Sequence, residues 1–240
     1  KNLSPEFRNT PFDPDNSYSV PYLWGTTGIG FNKAKIAKPP SSWHELWDPK
    51  YSGKITVLDN ARDTISTALL LKGYPETTTD PKAFEEVREL LLMQRPLVKQ
   101  YTSSAYIDGL VAGEVHLAMA WSGDCLQAGR ENPQIDYIVP KEGSYRWVDC
   151  LCLARSAPHK ESALRLVDYL LEAEIGAEIA NSVRYATPNA AAKPHLDKAL
   201  LSDPRVFPTK DAEKLLRFHA LLDPELSKLW SDTWSDVKVG

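Results

Sequence analysis

Two short stretches pair an aromatic ring with a carboxylate: Trp147-Val148-Asp149 and Trp121-Ser122-Gly123-Asp124. Residues 145–153 carry β-favouring side chains, contain no Gly or Pro, and follow a Gly-Ser turn, so they read as a strand. Residues two apart in a strand share a face. Trp147 and Asp149 therefore point one way, and Cys150 and Cys152 the other. A carboxylate beside an indole on a mostly apolar strand is costly to bury unless a cation or hydrogen-bond donors meet it. Either an internal Lys or Arg plays that part, with Trp147 as ordinary core, or a ligand does. An organic cation suits the second case, because carboxylates accept from its ammonium and indole faces attract its charge. Recurrence of the pair at the end of a second strand favours the ligand.

Other positions divide in the same manner. In Asp59-Asn60-Ala61-Arg62-Asp63, between a strand and a helix, Asp59 or Asn60 is a natural N-cap and Asp63 suits the helix dipole. The functional alternative puts Asn60 and Asp63 on the wall of a cleft. Asp124 either caps the following helix or faces the same ligand. Tyr185 heads the loop Tyr185-Ala-Thr-Pro-Asn189. Trp43, Trp47, Trp230 and Trp234 have helical or turn spacing and read as core. Catalytic patterns are weak: the five histidines (His44, His116, His159, His195, His219) are scattered, and neither HExxH nor GxSxG occurs. Asp124 beside Cys125 raises rather than lowers a thiol pKa. The glycines from Gly25 to Gly30 run GxxGxG with no helix directly after them, unlike a phosphate loop. No enzyme activity and no cofactor are expected.

The elements that must position these residues alternate between strand and helix. Strands are expected at 18–24, 54–59, 97–101, 115–121, 135–139 and 145–153. Helices are expected at 61–72, from Pro81, to Val111, to about Glu131, at 159–173, to Val183, and near 210–221 and 224–238. Helix 159–173 should turn Ala163, Leu166, Val167, Leu170 and Leu171 inward. Residues 25–32 read as a flexible strand or hinge. This alternation implies an α/β fold with a largely parallel sheet, whose ligands sit beyond the carboxyl ends of strands. Composition agrees: 240 residues, 42% hydrophobic and 25% charged, make an ordinary soluble globular chain. A net charge of -4 without a basic stripe argues against nucleic acid. No apolar run reaches the ~18 residues of a membrane span. Of three cysteines, a Cys125–Cys150 or Cys125–Cys152 bridge stays open. The opening Lys-Asn-Leu-Ser-Pro, with neither Met nor signal peptide, fits a processed end or part of a longer chain.

Ser42-Trp-His-Glu-Leu-Trp-Asp-Pro-Lys-Tyr-Ser-Gly-Lys54 resembles a segment common to extracytoplasmic solute-binding proteins, including iron- and thiamine-type binders. Ala120-Trp-Ser-Gly-Asp124, Pro140-Lys-Glu-Gly143, Trp147-Val-Asp149, Tyr185-Ala-Thr-Pro-Asn189 and the Trp-rich tail from Asp223 narrow the resemblance to the spermidine/putrescine-binding proteins of ABC importers. The resemblance implies a two-lobe periplasmic-binding-protein fold, here without about the N-terminal third: 27–147 and 194–240 as the main lobe, 1–26 and 148–193 as segments of a partial second lobe. It implies an aromatic box of Trp121, Trp147 and Tyr185, and ammonium-binding carboxylates Asp149, Asp124 and Asp63. Asn60 stands where one branch of the family has an acidic residue, and His219 falls near a polar contact. The implied partners are a polyamine and an ABC-transporter permease, in a periplasmic or extracytoplasmic location. A ferric-iron or thiamine binder, or a lobe that binds nothing, is the alternative.

Overall fold

A 14-residue strand, β1 (Ser19–Asn32), organises the whole sheet. The computed structural model describes residues 2–239. The first half of β1 runs antiparallel to β6 (Ser144–Cys152), from Ser19↔Cys152 to Thr26↔Arg146, with a register shift between Pro21 and Leu23. Its second half runs antiparallel to β4 (Leu117–Trp121) on one side and β5 (Ile135–Ile138) on the other. Beyond β4 lie β2 (Ile55–Val57) and β3 (Val98–Tyr101), both parallel. Beyond β6 lies the short parallel strand β7 (Leu216–Phe218). The sheet is therefore mixed rather than largely parallel. β2, β3 and β4 are joined through helices, which returns the chain in the same direction, whereas β1 lies outside those units and meets each of its neighbours antiparallel.

Two of the longer helices start where a side chain satisfies their first N–H groups. Asn60 Oδ1 accepts from the N–H of Arg62 and Asp63 to open α1 (Ala61–Lys72), which ends on Gly73 at φ 78°. Asp80 caps α2 (Pro81–Gln94). Next come α3 (Tyr106–Ala112), α4 (Ser122–Glu131), α5 (Lys160–Leu170), α6 (Ala173–Val183), two single turns α7 (Lys198–Leu201) and α8 (Lys210–Glu213), and α9 (Pro224–Val239). Three apolar clusters result. Ile29, Phe31, Val57, Leu117 and Met119 form the largest with Trp43, whose indole N–H donates to Gly143 O at 2.9 Å. A second joins α1, α2 and α9 through Leu69, Val87, Leu91, Leu226 and Trp230. A third gathers Phe7, Trp24, Ala177, Ala180, Leu196, Leu200 and Val206.

Several expectations are corrected. The helix read at 210–221 is the single turn α8 followed by β7, because pairing with β6 takes the segment 216–218 into the sheet. The inward stripe of α5 is covered only in part: Ala163, Val167, Leu170 and Leu171 are half-buried and Leu166 is 56% exposed, while Leu164 and Tyr169, off that stripe, are 53% and 50% exposed. Residues 25–32 are buried strand rather than a loose hinge; a Cβ at Gly28 would lie 2.3 Å from Ile138 O. Cys125, Cys150 and Cys152 are all free thiols. Among the described residues, no helix is long and apolar enough to cross a membrane.

Candidate functional site

The carboxyl end of β4, the middle of β6, the first turn of α1 and the loop after α6 converge on a cavity of about 420 Å³. Asn60, Asp63, Trp121, Asp124, Trp147, Asp149 and Tyr185 all line it, together with Arg62 and His219. The three rings touch edge to face: Trp121 and Trp147 are 6.5 Å apart at 72°, and Trp147 and Tyr185 are 5.1 Å apart at 69°. This is the geometry that aromatic quadrupoles favour.

Two glycines seat those rings by close approach. A Cβ on Gly25 would lie 2.4 Å from Trp147 Cζ2, so the indole rests on bare β1 backbone. A Cβ on Gly123 would lie 2.5–2.6 Å from three atoms of the Tyr185 ring. Gly123 sits in the first turn of α4 and takes no left-handed turn. Its missing side chain is the space that Tyr185 occupies.

The three carboxylates differ sharply. Asp149 is exposed to the cleft and has no hydrogen bond or ion pair among the described residues. Partial withdrawal from water raises its pKa above the usual 3.8. Asp124 is occupied: Tyr185 Oη donates to Oδ1 and Tyr106 Oη to Oδ2, each at 2.5 Å. Burial and the Asp124 charge hold both phenols far above their ordinary pKa, so they stay neutral donors. Each Asp124 oxygen keeps a second lone pair for a ligand. Asp63 is only 4% exposed. Burial raises its pKa, opposed by the Thr27 hydroxyl, which donates to Oδ1 at 2.6 Å. Asn60 uses its side-chain carbonyl to cap α1 and also lines the cavity. Asp59, the other capping candidate, pairs with Lys238 at 2.7 Å instead.

Behind Asp63 lies a buried polar cluster. Glu76, 7% exposed, accepts from the Ser66 hydroxyl, from the Ala220 N–H at 2.7 Å and from His219 Nδ1 at 2.7 Å. Burial alone would raise its pKa, but these hydrogen bonds outweigh it and hold the carboxyl below its ordinary value. Arg62 lies 3.7 Å from the second Glu76 oxygen, donates to Ala220 O, and stacks over Trp230 at 4.9 Å. Arg62, the one guanidinium among the described residues that line the cavity, is thus tied to Glu76 and forms no ion pair with Asp149 or Asp124. Among the described residues, no group of three or more His, Cys, Asp or Glu is placed to hold a metal.

A family model described as bacterial extracellular solute-binding protein matches residues 1–213. The chain belongs to that family. Over its full length it is 36% identical to a spermidine/putrescine-binding periplasmic protein of Salmonella typhimurium, spanning 69% of that relative. It is 30% identical to the putrescine-binding periplasmic protein PotF of Escherichia coli, spanning 70% of it. Among solved structures, a putative spermidine/putrescine ABC transporter protein from Listeria monocytogenes superposes with a TM-score of 0.94 at 30% identity, covering 99% of this chain and 74% of that one. This solute-binding protein therefore has the periplasmic-binding-protein fold and spans about seven tenths of such relatives.

Several residues of the site carried no sequence signal. Thr27 lies among the β1 glycines, Tyr106 opens a helix, and Glu76 lies in a turn ten residues beyond Ser66. His219 follows directly on β7. A residue immediately after a parallel strand is placed at the ligand end of the sheet; the helical pattern around β7 masks that signal, and only the family resemblance set His219 near a polar contact.

Proposed function

We propose that this solute-binding protein takes polyamines, putrescine or spermidine, in the cavity between Trp121, Trp147, Tyr185 and the carboxylates, in an extracytoplasmic compartment, and delivers them to an ABC-transporter permease. Binding is the whole task, with no bond made or broken. One observation carries the reading: among the described residues Asp149 has no partner and stands beside rings that meet edge to face, with Asp63 and Asp124 on the same cavity and Arg62, the guanidinium lining it, engaged by Glu76. Ammonium ends donate to carboxylates, and methylenes lie against indole faces, where cation–π attraction adds to the contact. Residues 27–147 and 194–240 form one lobe in this reading, and 1–26 with 148–193 contribute to the other. β1 and β6 then each pass from one lobe to the other.

Calorimetric titration of the chain with putrescine and spermidine tests the proposal. Saturable binding that Asp149→Asn weakens by tenfold or more supports it. Unaltered affinity in Asp149→Asn, with binding intact, would remove Asp149 from the site, and no binding by the parent chain would remove the ligand class.

A further inference from the structure

His219 joins the cavity to the buried Glu76 cluster. Its ring stacks flat on Tyr145 of β6, centroids 4.5 Å apart and planes 3° from parallel, so it cannot swing freely. Nδ1 lies 2.7 Å from Glu76 Oε1, with the Ser66 hydroxyl at 3.5 Å. Nε2 lies 3.9 Å from Asp63 Oδ1. Glu76 is held ionised and accepts, so the hydrogen between it and the ring belongs to Nδ1. A neutral imidazole with its proton on Nδ1 offers a lone pair at Nε2. That lone pair faces Asp63 and the cavity, where a cationic ligand brings donors.

Resting on the polyamine reading, we propose that Glu76 fixes His219 as an uncharged acceptor beside Asp63 for a ligand ammonium, and that protonation of His219 converts the position into a donor that occupies Asp63 and drives the ligand off. Uptake of one proton places an N–H at Nε2 opposite the Asp63 carboxylate and adds a positive charge where the ammonium would sit. The groups facing the ring are Glu76 from the turn after α1, Asp63 and Ser66 from α1, and Tyr145 from β6; Arg62 balances the second Glu76 oxygen. Asp63 and Asp149 titrate on the same cavity, so the imidazole's share must be separated from theirs.

Titrations with putrescine and spermidine at about pH 8 and at about pH 5.5 separate the two. Each protein is compared with its own Kd at the upper pH. The parent's Kd should rise by a factor at least fivefold larger than that of His219→Gln, and near the lower pH ligand binding should release about one proton more from the parent, read from the dependence of the heat on buffer ionisation. Coincident pH profiles and equal proton release would overturn the proposal while leaving polyamine binding standing. Nitrogen-15 shifts of the His219 ring in the ligand-free protein give a readout independent of any ligand. The Nδ1–H form at neutral pH, lost in Glu76→Gln, is expected; the Nε2–H form at neutral pH would overturn the proposal even if no polyamine bound.

Discussion

Gly123→Ala puts the seating of Tyr185 to a test in which two effects oppose each other. Replacing Gly by Ala in a helix stabilises by up to about 1 kcal/mol. The new Cβ, however, would stand 2.5–2.6 Å from Cε1, Cδ1 and Cγ of Tyr185, closer than any tolerable contact. The ring must leave. Its hydroxyl then abandons the charge-assisted bond to Asp124, worth about 1.5–3 kcal/mol. Its edge contact with Trp147 contributes about 0.5–1.5 kcal/mol more. Losses of about 2–4.5 kcal/mol against a gain of about 1 leave a net destabilisation of about 1–3.5 kcal/mol. For a chain of this size each kcal/mol moves Tm by about 2–4 °C, so a fall of about 2–14 °C is expected by calorimetry. In a Tyr185→Ala background the clash is gone, and the same substitution should raise Tm instead. A Gly123→Ala single variant melting at or above the parent, or a fall of equal size in both backgrounds, would refute the reasoning.

The buried carboxylates give further tests. Burial raises the folded pKa of Asp63 above its ordinary 3.8, so the folded state binds the extra proton and apo stability declines as pH climbs from that ordinary value through the raised one. Asp63→Asn should thus melt higher than the parent at neutral pH, by a margin that shrinks on acidification, while binding polyamine less tightly; a lower Tm at neutral pH would contradict this. Glu76 is the opposite case, with a lowered folded pKa, so its contribution is present above its ordinary value and is lost as pH falls through the lowered one. Glu76→Ala strands Ser66, His219 and the Ala220 N–H and should cost about 3–5 kcal/mol in denaturant unfolding at neutral pH; a cost under ~1 kcal/mol would show the cluster to be energetically idle. Polyamine affinity should weaken steadily as salt rises, since the contacts are between charges; a flat series would point to an uncharged ligand.

What could be read from the residues follows their range of action. Trp147 and Asp149 share a face because strand alternation is local, and Asn60 and Asp63 open α1 because capping is settled within four residues. The α/β class and α1, α2 and α9 were legible for the same reason. The mixed sheet was not, since β1 serves two sets of partners and nothing local says so. β7 has three residues, too few to outweigh the helical pattern around it, and its misreading hid the place of His219. Glu76 meets His219 across 143 residues of chain, a contact only the fold supplies. Apolar periodicity placed Ala163, Val167 and Leu170 on the covered side of α5, but it is silent on how deep that cover is and on the apolar side chains outside the stripe.

The exposed apolar side chains of α5 have a practical result in the test tube. Leu164, Leu166 and Tyr169 present hydrocarbon to bulk water from a helix whose side chains are nowhere sealed off. Solutions of the chain should brighten a solvatochromic dye such as anilinonaphthalene sulfonate, scatter more light as they are concentrated, and do so most in sulfate-rich buffers, which strengthen association of apolar surface. Charged replacements on that helix, such as Leu166→Glu, should quieten both signals while sparing the cavity, which no α5 residue lines.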